Sequence, residues 1–106
     1  MKKKFYHKLV RDRIPEIITE SGVAFEVVQL QGEDLTRFAL KKLQEEVQEF
    51  IEDPSAEEGA DIIEIFNFIC TRLGIRSSEV KAQRLSKRSS RGGFDMGLLL
   101  EWVEDE

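Results

Sequence analysis

One cysteine, one histidine and no long apolar run narrow the chemistry open to this chain of 106 residues. A lone Cys70 forms no intramolecular disulfide and no thiolate metal cluster. On the apolar side of its helix it reads as a small core residue. His7 reads as a surface side chain and not as a catalytic base. No stretch approaches the roughly 20 apolar residues of a membrane-spanning helix. The Met-Lys-Lys-Lys start is not followed by the apolar segment of a signal peptide, so the expected location is cytoplasmic, with no membrane partner. There is no glycine-rich phosphate loop, no GxGxxG, and no serine or cysteine nucleophile beside a base. A net charge of −5 argues against a non-specific nucleic-acid binder. No repeat, low-complexity tract or long linker divides the chain, so one domain over residues 1–106 is expected.

What is present is charge, and it is sorted. Charged residues make up 35% and hydrophobic residues 41%, the balance of a folded chain with a modest core and not of a disordered one. Lys2, Lys3, Lys4, Lys8, Arg11 and Arg13 crowd the start, and Arg76 to Arg91 holds six more cations. The acids crowd the middle and the last six residues. A basic segment folded against an acidic site suits a phosphate–metal ligand.

Periodicity divides the chain into helices. Asp12 is placed to cap a helix from about Arg13, with Pro15 in its first turn and Ser21-Gly22 ending it. Residues 25–31, β-branched and aromatic between Gly22 and Gly32, read as a strand. A lone strand needs a partner, and residues 98–103 offer one. A long helix is expected from about Leu35 to Glu52 with Asp34 as its cap. The break at Asp53-Pro54 puts Asp53 at the cap and Pro54 in the first turn of the next helix, which runs to Leu73 and closes at Gly74. Ser77 or Ser78 starts a fourth, basic helix over roughly 78–89. The expected fold class is mainly α, a helical bundle with a small two-stranded β element. Residues 62–70 are apolar nearly all round, which predicts burial on more than one side and hence a homodimer or tetramer packed through this helix.

The segment from Leu43 to Ile65 organises the rest. It carries Glu45-Glu46-x-x-Glu49 on one helix and Glu57-Glu58-x-x-Asp61 on the next. Carboxylates three or four apart share a helix face, where like charges repel. At about 100° per residue the first helix turns Ala39, Leu43, Val47 and Phe50 inward, with Glu46 on the flank of that face, Glu49 a step further round and Glu45 pointing more outward. On the second helix Glu58 falls inside the apolar arc and Asp61 at its edge. In an antiparallel hairpin Glu46, Glu49, Glu58 and Asp61 come from facing flanks and can meet. Four carboxylates at one partly buried spot need compensation. A hard divalent cation supplies it, and magnesium takes carboxylates, waters and substrate phosphates. Against this stands the plain reading that helix surfaces often carry Glu pairs.

A second element is Lys87-x-x-x-Arg91-Gly92-Gly93-Phe94. Lys87 and Arg91 lie one turn apart, so both can face one anion, and the glycines offer backbone N–H groups to a phosphate. The alternative is a solvated helix end in favourable contact with the dipole. Phe94 either meets a base or plugs the core, and the core is the better assignment. Lys8 and Arg11 either bring cations to the acids or pair with an acidic surface; spacing does not decide.

With those motifs in order, the chain resembles the all-α nucleoside triphosphate pyrophosphohydrolases, the MazG-like superfamily that includes phosphoribosyl-ATP pyrophosphohydrolase and the dimeric dUTPases. The resemblance covers nearly the full length. It is carried by KLVRDRIPEII at 8–18, KLQEEVQEF at 42–50, EEGAD at 57–61 and KRSSRGGFDMG at 87–97. It implies Mg²⁺, with Mn²⁺ as the other ion, held by Glu46, Glu49, Glu58 and Asp61. It also implies hydrolysis of a nucleoside triphosphate between the α and β phosphates to monophosphate and pyrophosphate, in a house-cleaning role on unusual or surplus nucleotides. Glu45 would orient or deprotonate the attacking water, and Lys87 and Arg91 would contact phosphate. Gly59 departs from the pattern, standing where many relatives carry a bulkier apolar residue; a glycine inside a helix costs about 1 kcal/mol. Phosphoribosyl-ATP hydrolysis is the neighbouring alternative. From another class, the chain could be a non-catalytic helical module that binds a partner.

Overall fold

Apolar residues at helical spacing leave each central helix one stripe to cover, and in the computed structural model these stripes cover each other. The structure describes residues 2–105. Four helices follow in order: α1 (Ile14–Ser21), α2 (Gly32–Glu52), α3 (Ala56–Arg72) and α4 (Ser77–Arg91). The chain divides after Gly74 into two compact units. No helix among the described residues is long and apolar enough to cross a membrane.

In the first unit α2 and α3 form a hairpin joined by the short link Asp53–Ser55. Ala39 is fully buried in it, and Ile69 and Cys70 are each 6% exposed, so Cys70 has the core role expected of it. A small residue such as Ala39 lets two helix axes approach closely. The open end is braced by Arg72 at the last turn of α3, whose Nη2 donates to the Gly32 carbonyl at 2.7 Å and whose Nε donates to Thr36 Oγ1 at 2.8 Å.

Helix starts differ from expectation in ways that local chemistry explains. The cap of α3 is Ser55 and not Asp53: Ser55 Oγ accepts from the Glu58 backbone N–H at 3.1 Å. Ser55-x-x-Glu58 is the spacing of a capping box, and it fixes the turn that presents Glu58. Helix α2 begins at Gly32, so Asp34 lies in the first turn and pairs with Arg37 instead of capping. The Asp12 cap is not made either. Arg13 occupies the N-cap of α1 without a side-chain bond, and the Ile14 N–H donates to the Arg11 carbonyl at 3.0 Å. Gly22, at φ 78°, closes α1 as expected.

The two-stranded element is not observed: there is no strand among the described residues. Residues 25–31 and 98–103 have no regular structure, and Val28 and Leu99 are 75% and 82% exposed. A strand exists through its ladder; β-branched composition does not supply a partner.

The second unit holds α4 and an irregular tail. Gly92, at φ 83°, closes α4 by donating its N–H to the Arg88 carbonyl at 2.9 Å. Phe94, expected to plug the core, is 97% exposed. It begins a turn in which the Gly97 N–H donates to the Phe94 carbonyl at 3.0 Å.

Candidate metal centre

Because α2 and α3 run antiparallel from a short link, residues near the end of α2 face residues near the start of α3. Glu45, Glu46 and Glu49 of α2 each place a carboxylate oxygen within 4.8 Å of the others. Glu46, Glu58 and Asp61 do the same across the hairpin, so Glu46 belongs to both groups. The expected meeting of four acids is seen in part: Glu46, Glu58 and Asp61 come together across the hairpin, whereas Glu49 groups with Glu45 and Glu46 along α2 and not with Glu58 and Asp61. Glu46 is also the one buried charged residue among those described, at 6% exposure. Its Oε2 and that of Glu58 are buried with no hydrogen-bond partner among the described residues. Unpartnered buried carboxylate oxygens are costly. Two of them, on residues that share one acid group, fit a hard cation that takes oxygen ligands.

The electrostatics follow from the neighbours. Burial pushes the Glu46 carboxyl above the ordinary carboxylate range; Glu49 adds to the rise and the Lys42 ammonium, 3.2 Å from Oε1, opposes it. At Glu45 burial also works upward. It is outweighed by the hydrogen bond from Lys8 and the charges of Lys42 and Lys8, which hold the carboxyl below its usual value. Glu45 was expected to point outward, yet its side chain is only 27% exposed, drawn in by those two lysines.

The basic start of the chain reaches both acid groups. Lys8 Nζ donates to Glu45 Oε1 at 2.9 Å, and Arg11 Nη2 donates to Asp61 Oδ1 at 2.7 Å. Each hydrogen bond raises the pKa of its cation. Both pairs are substantially exposed, so each is worth little stability alone. Their importance is where they lie: one irregular segment supplies a counter-charge to each acid group.

Lys87 and Arg91 sit one turn apart at the end of α4, in the second unit with Phe94. The Gly92 N–H expected to meet phosphate is occupied in closing the helix. Gly59 lies inside α3, and a Cβ there would meet Phe50 Cε1 at 3.8 Å, an ordinary contact; the space does not demand glycine.

Sequence reasoning missed Lys42, although its signal was legible: it stands three and four residues before Glu45 and Glu46, and it contacts both. It also missed Phe38 and Lys41, neighbours one turn apart on α2, and Tyr6, which the path of residues 5–9 brings to the same groove. Compared against protein-family models, curated proteins and solved structures, the chain finds no match, so what the site can do is read from its own residues.

Proposed function

We propose that this chain is a Mg²⁺-dependent nucleoside triphosphate pyrophosphohydrolase, cleaving the α–β anhydride to a monophosphate and pyrophosphate. The observation that carries the proposal is Glu46: buried, with an unpartnered oxygen, and shared by two acid groups drawn from both helices of the hairpin. The motif resemblance supplies the reaction, and unusual or surplus nucleotides are its expected substrates.

Glu46, Glu49, Glu58 and Asp61 would hold the ion, Mg²⁺ or Mn²⁺. When bound, it supplies charge neutralisation on phosphate oxygens and a water of lowered pKa. Glu45 stays ionised at neutral pH because Lys8 and Lys42 hold its carboxyl low. It can therefore orient a water; its lowered basicity means that it takes the proton only from a water that is itself made more acidic. The water oxygen bonds to one phosphorus of the α–β anhydride, one P–O bond of the bridge breaks, and the proton passes to Glu45. This displacement needs no covalent enzyme nucleophile.

A panel of nucleoside triphosphates with Mg²⁺ tests the reading by pyrophosphate release. Glu58→Gln is expected to lower turnover by about 100-fold or more while the helical circular dichroism stays that of wild type. Folded protein that releases no pyrophosphate from any nucleotide would remove the enzyme; unchanged turnover in the variant would remove Glu58 from the site.

The same reading includes a homo-oligomer, dimer or tetramer. Leu40, Ile51 and Ile63 are 45%, 62% and 62% exposed on helices whose other faces pack together. Light scattering at micromolar concentration should give a multiple of the 12.3 kDa chain mass; the mass of a single chain would exclude it.

A further inference from the structure

Beside the acid groups lies a site of the opposite sign. Tyr6, Lys8, Phe38, Lys41 and Lys42 line an open groove of about 260 Å³ that ends at Glu45. Lys8 and Lys42 both reach the same Glu45 oxygen, at 2.9 and 3.5 Å. Lys41 lies over the Phe38 ring, 5.4 Å from its centroid, and makes no ion pair among the described residues. Three ammonium groups face one carboxylate in the lining; Lys42 also pairs with Glu46 at 3.2 Å, so Lys41 is the cation that gives the groove its positive surplus. Sites for drug-sized ligands enclose roughly 300–1,000 Å³, so a groove of this size suits a fragment of a nucleotide and not the whole of one.

The rim includes an uncommon backbone conformation. His7 adopts φ 46°, in the left-handed region that non-glycine residues seldom enter, and such strain persists where the surroundings impose it. Phe5 stacks on His7 at 5.8 Å between ring centroids, and the Lys8–Glu45 pair fixes the other side. The Lys8 ammonium also lies 5.7 Å from the centre of the Tyr6 ring, a cation–π contact that holds it at the groove.

We infer that this groove binds the terminal diphosphate of the substrate, the part that leaves as pyrophosphate, with Lys41 as a phosphate contact and Lys8 and Lys42 shared between phosphate and Glu45. The identity of the ligand rests on the pyrophosphohydrolase reading; the existence of an anion site beside the acids does not. Ammonium groups bind phosphate oxygens through charge-assisted hydrogen bonds. Placing them next to the carboxylates gives a polyphosphate one region for its metal-bound oxygens and another for its free end.

The test is calorimetric titration of inorganic pyrophosphate, in Mg²⁺, into wild type, Lys41→Gln, Lys41→Arg and, as a control on α4, Lys81→Gln. Lys41→Gln should weaken pyrophosphate binding by about tenfold or more. Lys41→Arg should restore most of it, Lys81→Gln should match wild type, and Mg²⁺ affinity by thermal shift should be the same in all four. Pyrophosphate that fails to bind wild type, binds Lys41→Gln equally well, or weakens equally in Lys81→Gln overturns the groove. So does a nucleoside monophosphate that competes with pyrophosphate for the Lys41-dependent site. Lys41-dependent binding in a protein without turnover keeps the groove and removes the enzyme; full turnover with binding indifferent to Lys41 does the reverse.

Discussion

Glu46→Gln should make the metal-free protein more stable while abolishing its response to magnesium. Burial, reinforced by Glu49, raises the Glu46 carboxyl pKa against the pull of Lys42. The folded protein thus holds this proton more tightly than the unfolded chain does. The sign follows from linkage: as pH rises from the ordinary glutamate value of 4.5 through the raised folded value, the folded state loses stability, and above that value the loss is complete. Above that raised value wild type carries the whole penalty, and glutamine, which matches the protonated acid in shape, carries none. A gain in stability is therefore expected, and each kcal/mol moves the melting temperature by about 4–8 °C in a domain of this size. The gain should shrink as pH falls toward 4.5. Wild type should melt higher in Mg²⁺, by about 2.7 kcal/mol of stabilisation at one hundred times the dissociation constant, and the variant should not respond. A Glu46→Gln protein that melts below wild type at pH 7.5, or that still gains stability from Mg²⁺, would contradict the role assigned to this side chain.

Ile69→Ala should be the most damaging conservative change in the hairpin. Ile69 is 6% exposed on the face of α3 that meets α2, and few other side chains in the chain are buried as deeply. Large-to-small changes in a core cost about 2–5 kcal/mol, transfer and cavity terms together. Against a total stability of about 5–15 kcal/mol, that is a large fraction. Urea unfolding should show a midpoint shift of that size with an unchanged slope. Ile63→Ala, six residues earlier and 62% exposed, provides the comparison. In the separated chain it should stay within about 0.5 kcal/mol. Equal losses at the two positions would mean that the face holding Ile69 is not the packed one.

The helical part of the fold was legible because it is local. The spacing of Ala39 and Leu43 and of Ile62, Ile65 and Ile69 defines two stripes, and a short link forces them together; Val47 and Phe50, read as facing inward, are 38% and 36% exposed. The same periodicity placed Glu46 on the flank of the apolar face, which is why it is buried. What was not legible is what depends on separation in sequence. Lys8–Glu45 and Arg11–Asp61 join residues 37 and 50 positions apart, and no spacing rule foresees them. The strand over 25–31 was inferred from residue preference, which is weak wherever no neighbouring strand is guaranteed. Cap assignment failed at Asp53 because Ser55, two residues on, offers an equally good oxygen and has the Glu58 N–H within reach. Phe94 was misplaced for a simpler reason: aromatic character favours burial but does not produce a cavity to receive it.

Arg72 makes the α2–α3 hairpin behave like a frame fastened at both corners. The link Asp53–Ser55 closes one end, and the guanidinium, bonded to Gly32 and Thr36, closes the other. Crowded negative groups push outward, and two rods joined at one end alone would yield by spreading like scissors. Fastened twice, they hold the acids within 4.8 Å of one another in each group, so an ion bound there as proposed would meet a preset claw, and little of its affinity would go into bending the protein.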